Sequence, residues 1–571
     1  MENLQPKFEL FASIFSRHKA SVFAGCILFV LIALYSNLLI NDPLLSYDDR
    51  PLVGAVASAS SIRAYINGVS SGLIPDLQPV RDLSYVVDIW VLQKSHLHSF
   101  HLTNLILWWL TVLLFYLLIE HESKTELAVV FAMFFALSPV FASSVAWVAA
   151  RKHLLSTLFI LSATLISVRN KNRIFELKYF SAIFFFYFLS ALSQPINVLW
   201  PIWFFLYTKK EMRKLPLLIL TFCMGLLIFA NFKYYNSELF ESISAFGKFN
   251  SDGVSPGTSL LAIGRYFLLT LIPFGALPHS HYQGSLDNIL GLILFALMIA
   301  IVLIRIRRNK NDNLLPLLYF LLPLTVVTFK STNVFCSDTY LLNASVGLYW
   351  FLGNFLRDSR HLKKISIFIA IYAVICGGYS HFYLKAFSSD RDLWAYSFAK
   401  EENSHSAMVM ALFSIKDKNF KQANEIISHM QRNWPNQPFI PQLSTEAIFF
   451  NDSLTITEKE DQIEKLSKLS PAGHFYLALL YAKENKTAQL TRHLEQVFHN
   501  PEQLKLEFWG KEERVGAIYS YTCQFFQVKG CLGLELIKQN LSKDQFDEKL
   551  YHEYLEKLNQ GKAYKVELRV N

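Results

Sequence analysis

The sequence predicts an all-α protein in two parts, a polytopic membrane helical bundle over 1–384 and a helical domain over 385–571. Three observations lead there. Hydrophobic residues make up 52% of the 571 and charged residues only 17%, against about 25% charged in an ordinary soluble domain. Mean hydropathy is +0.28 although the last third of the chain is polar, so the apolar excess lies in the first part. The net charge of +9 is gathered in short loops between apolar stretches, which is the positive-inside pattern and not a nucleic-acid surface.

A membrane helix needs about 20 apolar residues, fewer where protein shields its ends. Candidate spans run over 21–40, 101–119, 127–147, 153–168, 179–194, 195–207, 215–232, 288–304, 314–330, 340–356 and 365–384. The stretch 259–277 is also apolar, but Arg265, Pro273 and two glycines interrupt it. It is read as re-entrant or interfacial, because a full crossing there would put the Arg305–Lys310 cluster on the wrong side. Eleven crossings then bring every strongly basic loop to one face. Segments 169–178, 209–214, 305–312 and 357–364 each carry a net +3, so the rest of the chain is acidic on balance.

Lys7, Arg17 and Lys19 place the N-terminus on the same, cytoplasmic side of an inner (cytoplasmic) membrane and the C-terminal domain outside it. Residues 36–46 offer no small-residue cleavage site, so the first apolar segment is read as a retained span.

In the C-terminal domain, Ala411, Ala423, Ile427 and Pro435 fall at the small, small, large and proline positions of a tetratricopeptide (TPR) repeat. A partial second repeat uses Leu477, Ala478, Tyr481, Leu494 and Pro501. A solenoid of this kind binds polypeptides on its inner face; the alternative is an irregular helical bundle. Six scattered cysteines form no CxxC pair, so neither a disulfide scaffold nor a zinc site is expected. Whether Cys523 and Cys531 pair is open.

Chemistry-bearing residues concentrate on the outer side. Asp48 and Asp49 are adjacent carboxylates at a membrane boundary, which raises the pKa of one unless a cation compensates. They form either a general base or a solvated turn neutralised by Arg50. Arg81, Asp82, Asp88, His101 and Asn104 form a second polar set, with His101 and Asn104 on one helix face at i, i+3. A helix-end role and a ligand role are both open for that pair. No Gly-rich phosphate loop, metal-spaced His/Glu motif or Ser-His-Asp set stands out, and no line of charges crosses the bilayer as a transporter would require.

Several short segments in unbroken order carry a resemblance: Tyr47-Asp48-Asp49-Arg50, Ser99 to Asn104, Ser138-Pro139-Val140, Ser144 to Lys152 and Leu155-Ser156-Thr157. Gln194-Pro195, Arg265-Tyr266, Pro278-His279, Asp338 to Leu341 and Arg391 to Trp394 continue it. Over about 40–435 the chain resembles the C-superfamily (GT-C) glycosyltransferases with C-terminal TPR repeats, a group similar to the transmembrane and TPR-containing O-mannosyltransferases.

The resemblance implies transfer of a sugar from a polyprenyl-phosphate donor to an extracytoplasmic acceptor, a polypeptide or glycan engaged through the C-terminal domain. No tightly bound cofactor is implied. Asp48 and Asp49 would be the catalytic carboxylates. Arg151, Arg265 and Lys152 would hold the lipid phosphate, with Arg50, Asp88, His101, Asn104, His279, Asp338 and Tyr340 completing the substrate site. The chain also departs from the family. Ser138 to Ser143 stand where relatives carry His-Pro-x-His-x-Glu, Ala150-Arg151-Lys152-His153 replaces Glu-Arg-Lys-Asp, Gln194 replaces a lysine and Thr339 an arginine. A catalytically silent relative acting as a membrane-anchored TPR scaffold is therefore the alternative reading.

Overall fold

The structure is a computed structural model. It describes residues 19–41, 43–45, 49–59, 61, 63–65, 78–89, 100–208, 225, 256–277, 286–307, 314–328, 337–401, 403–435, 437, 439–468, 471–484 and scattered positions up to 496. Among these residues all regular secondary structure is helical. The chain divides into two compact units, with the division after Glu401.

The expected boundary at 384/385 is not where the contacts divide. The turn Lys385–Ser388 and the helix Asp390–Lys400 belong to the first unit: Asn37 Nδ2 donates to Ser388 Oγ at 3.2 Å, and Phe387 and Leu393 are buried.

Five described helices are long and apolar enough to cross a membrane, six if one bent pair counts as a single span. They include α1 (Lys19–Asn41) and, after the short helices α2 (Asp49–Ser58) and α3 (Pro79–Val87), α4 (Phe100–Glu122). The bent pair is α5 (Thr125–Leu137) with α6 (Pro139–Ala146), kinked by 57°. The kink has a local cause: Pro139 has no N–H to continue the ladder, and it holds Ser138 in extended geometry at φ −67°, ψ 128°.

The turn Val148–Ala150 then leads into α7 (Arg151–Arg169), followed by α8 (Leu177–Ser193). The expected span 195–207 is instead a 3-10 turn, Pro195–Asn197, and α9 (Trp200–Tyr207). An eight-residue helix rises only about 12 Å. Expected span 215–232 lies outside the described residues but for Gly225.

Next come α10 (Pro256–Leu271), α11 (Leu286–Arg307), α12 (Leu315–Thr328), α13 (Leu341–Leu356), α14 (Leu362–Leu384) and α15 (Asp390–Lys400). Helices α10 and α11 meet at Gly264 and Gly291, where a Cβ on Gly291 would lie 2.1 Å from the Gly264 carbonyl oxygen. Such close backbone approach is how helices associate where no water drives them together.

Contacts sort the helix ends. At one end, Lys171 lies 5.0 Å from the Tyr207 ring, Arg357 donates to the Glu122 carbonyl at 3.3 Å, and Ser123 donates to the Gly353 carbonyl at 3.0 Å. The start of α1 joins this basic end, with Phe23 stacked on Tyr116 at 4.4 Å. The opposite end gathers the last turn of α1, the starts of α4 and α7, and the turn Asp338–Tyr340.

The segment after α10 folds back toward that opposite end. The carbonyls of Thr270 and Leu271 accept from Tyr349 and Tyr372 midway along α13 and α14, and that of Phe274 accepts from Tyr379, nearer the end of α14. These hydroxyls satisfy carbonyls that a buried helix end leaves without partners.

The second unit begins with α16 (Ser404–Lys416) and α17 (Phe420–Asn433), an antiparallel pair closed by a tight turn. Lys418 stands there at φ 59° while Asn419 N–H donates to Ser414 O at 2.8 Å. Fully buried Ala411 and Ala423 let the two helices approach, and Ile427 packs beside them. Helices α18 (Phe439–Phe450), α19 (Ile456–Ser467) and α20 (Pro471–Lys483) follow, each packed on the one before. Phe449, Ile463, Tyr476, Leu477 and Leu480 form their core. Leu494, Pro501, Cys523 and Cys531 lie outside the described residues.

Candidate functional site

Helix α6 ends at a turn, and four side chains bind its backbone groups, one of them at the Val148 carbonyl that the Arg151 N–H also reaches. His101 Nε2 donates to the Ala146 carbonyl at 3.0 Å and Asn104 Nδ2 to that of Val145 at 3.0 Å. The Tyr85 hydroxyl donates to the Val148 carbonyl at 2.9 Å. Asp49 Oδ1 accepts from the Ala149 N–H at 2.7 Å, while Oδ2 accepts from that of Leu45 at 3.1 Å. Burying these backbone groups unpaired would cost about 1–3 kcal/mol each. The His101/Asn104 spacing thus holds a helix end here, and both Asp49 oxygens bind main chain.

The same turn delivers Arg151. All three of its nitrogens are engaged: Nε donates to Asn104 Oδ1 at 2.6 Å, Nη2 to the Phe100 carbonyl at 3.0 Å and Nη1 to Ser84 Oγ at 3.2 Å. Nη1 also lies 2.6 Å from Asp88 Oδ2 in an ion pair whose side chains are 0% and 1% exposed. Asp88 Oδ1 accepts from the Thr103 hydroxyl at 2.7 Å, and the guanidinium stacks over the Tyr85 ring at 4.7 Å. Burial drives the Tyr85 hydroxyl pKa above its ordinary range, more than Arg81 and Arg151 lower it. This is a closed polar centre held by a buried ion pair, in which Asp88 Oδ2 has the Arg151 contact but no hydrogen bond among the described residues.

A second centre lies at the same end. Arg265, on α10, donates from Nη2 to the Gly275 carbonyl at 3.3 Å and lies 3.6 Å through Nη1 from Asp287, whose side chain is 63% exposed. Among the described residues its buried Nε has no hydrogen-bond partner. Asp338, 2% exposed, likewise has an unpartnered Oδ2. Burial holds the Asp338 carboxyl well above the usual carboxylate range, although Arg265 and the Leu277 N–H pull it down; Glu401 adds to the rise. Around it stand Tyr383, ring to ring with Tyr396 at 5.1 Å, and Tyr379, whose hydroxyl is 3.1 Å from that of Tyr396.

Helix α6 separates the two centres and packs against the Asp338–Tyr340 turn. The ring of His153, two residues after Arg151, meets Tyr340 edge to face at 5.2 Å. The structure therefore brings Asp49, Asp88, His101, Asn104 and Arg151 into one centre and Arg265 with Asp338 into another. Lys152 and Tyr340 are half-buried. Arg50 is described only as part of α2, and Asp48 and His279 lie outside the described residues.

Sequence reasoning missed Ser84, Tyr85, Thr103 and Asp287. Arg81, Tyr85 and Asp88 at i, i+4, i+7 were the available signal for a charged buried face. Among the described residues no three His, Cys, Asp or Glu side chains are grouped to hold a metal ion. No protein-family model matches the chain, and neither a curated protein nor a solved structure matches it.

Proposed function

We propose that the chain is a membrane glycosyltransferase that moves a sugar from a polyprenyl-phosphate donor to a protein or glycan acceptor outside the cytoplasmic membrane. One observation supports this reading above the others: among the described residues Arg265 keeps a buried N–H without a hydrogen-bond partner, and an Asp338 oxygen whose charge it feels is likewise without one. A planar guanidinium with a spare donor in a dry setting suits a phosphate. In the reaction a carboxylate takes the acceptor hydroxyl proton, the acceptor oxygen bonds to the anomeric carbon, and the anomeric carbon–phosphate oxygen bond breaks. The lipid phosphate leaves as an anion held by Arg265. Asp49 serves as a positioning residue for the 145–149 turn, and Asp48 is the base.

The topology belongs to the same proposal. Eleven crossings, with 259–277 re-entrant, put residue 1 in the cytoplasm and the C-terminal domain outside, with TPR-like helix pairs presenting the acceptor. The gathering of Lys171, Arg357 and the start of α1 at one end supports it. A second reading, a silent scaffold, is favoured by Asp49 and Arg151 both being spent on the fold.

Transfer from a polyprenyl-phosphate sugar by the purified full chain separates the two readings. Asp48→Asn should lower the rate about 10²–10⁴-fold at unchanged protein level. Full complementation of a deletion strain by Asp48→Asn/Arg265→Gln at normal expression would make the scaffold reading correct. Alkaline phosphatase fused after Leu393 should be active and after Lys310 inactive; the reverse overturns the topology.

A further inference from the structure

Helix α3 is built inside out. Its buried face is charged, with Arg81, Asp82 and, just past its end, Asp88 exposed by only 1–2%. Its outward face carries Leu83, 62% exposed, and Val87, 44% exposed, flanked by half-buried Val80 and Val86. A helix at a water surface arranges these residues the other way round.

Every buried charge on it has a partner. Arg81 Nε donates to Asp82 Oδ1 at 2.7 Å, Asp82 accepts from the Tyr65 hydroxyl, and Asp88 pairs with Arg151. The polar face is therefore turned into the protein, each of its charges beside a protein group, and only hydrocarbon gains from the apolar one.

The position of the helix says what covers that face. Gln78 Nε2, just before α3, donates to Gln194 Oε1 at 2.9 Å at the end of α8, and Tyr85 reaches the turn before α7. Helix α3 thus packs on the outer ends of α7 and α8. Helix α8 also turns apolar surface outward, with Phe185 55% exposed.

We infer that α3 lies at the margin of the bilayer, its Leu83 and Val87 immersed among lipid acyl chains while its charged face anchors the Asp88–Arg151 pair. The inference rests on the reading of the first unit as membrane-spanning. It makes the lipid itself a binding partner of the element that holds the closed centre.

The test uses the full chain, with its six native cysteines replaced, in phosphatidylcholine vesicles. A bimane label is placed on a single cysteine at Leu83 or Val87. Control labels sit at Leu297 on α11, which is 54% exposed, and at Lys418 in the second unit. Lipids brominated near the headgroup should quench positions 83 and 87, lipids brominated near the chain end should quench 297, and neither should quench 418.

Quenching at 297 without quenching at 83 and 87 overturns the inference alone, and copy-to-copy cross-linking at 83 would then name a second chain as the occupant. Absence of quenching at 297 as well overturns the membrane reading together with it. A second measurement avoids the cysteine background. In lipid discs Leu83→Glu should lower the thermal midpoint by several degrees and Leu83→Phe should preserve it; tolerance of Glu would place the face in water and overturn the inference.

Discussion

Two arginines stand at the same end of one helical bundle and have opposite surroundings. Arg151 is sealed, with an aspartate, an amide, a hydroxyl and a carbonyl on its three nitrogens and an aromatic ring beneath it. Among the described residues Arg265 touches one carbonyl and one distant, exposed carboxylate, and its Nε has no hydrogen-bond partner. The difference teaches that position at the head of a bundle does not make an arginine a ligand. A guanidinium whose hydrogen bonds are complete holds the protein together, and one with a donor to spare can bind something else.

The largest effect that follows is on Arg151. Arg151→Met leaves Asp88 buried without its charge partner, and breaking one side of a buried pair costs about 3–5 kcal/mol. Thermal unfolding in detergent should show the loss, and the double change Arg151→Met/Asp88→Leu should recover part of it. A double mutant as unstable as the sum of the singles would mean that the two residues act independently.

Arg265→Gln should instead leave the thermal midpoint nearly unchanged. A hydrogen bond to a charged group contributes about 1.5–3 kcal/mol, so transfer from a polyprenyl-phosphate sugar should fall about 10- to 100-fold. Unfolding on the scale of the Arg151 variant would erase the contrast between the centres.

The sequence made the helices legible and left the roles of residues obscure, for a physical reason. Apolar periodicity and Pro-bounded breaks mark α1, α4, α7, α8, α11 and α14 within a few residues, because lipid forces every backbone group into a local bond. The break of apolar helix after Leu271 was also visible, through Pro273. The pairing of Arg151 with Asp88 was not, since it joins residues on separate elements through a turn set by Trp147 to Ala150. Nor was the service of Asp49, whose partners are backbone N–H groups that no side-chain pattern reveals. Hydropathy falls at Lys385, whereas packing within the first unit continues through α15, which hydropathy does not reveal.

A smaller and more specific effect concerns Asp338. Its pKa is raised in the folded chain by burial, so between the unfolded value near 4 and the folded value the native state binds more protons than the unfolded one. Stability from this group is complete below about pH 4 and is lost as pH rises toward the folded pKa. Asp338→Asn should flatten that decline and be no less stable than the parent at neutral pH. A midpoint that falls at neutral pH on this substitution would mean that Asp338 is held as a carboxylate by Arg265, and the second centre would then resemble the first.

The smallest effect separates affinity from stability at the open centre. Asp287 is mostly exposed and 3.6 Å from Arg265, and such a pair contributes about 0–1 kcal/mol to folding. Asp287→Asn should therefore move the thermal midpoint little. It also removes the one carboxylate paired with the Arg265 guanidinium among the described residues, so an anionic group should bind there more tightly. If Arg265 holds the donor phosphate, KM for the polyprenyl-phosphate sugar should fall a few-fold with kcat nearly constant, and the gain should vanish in Asp287→Asn/Arg265→Gln. A higher KM in the single variant would show that Asp287 orients Arg265 instead of competing for it, and the open centre would need its acid as the closed one needs Asp88.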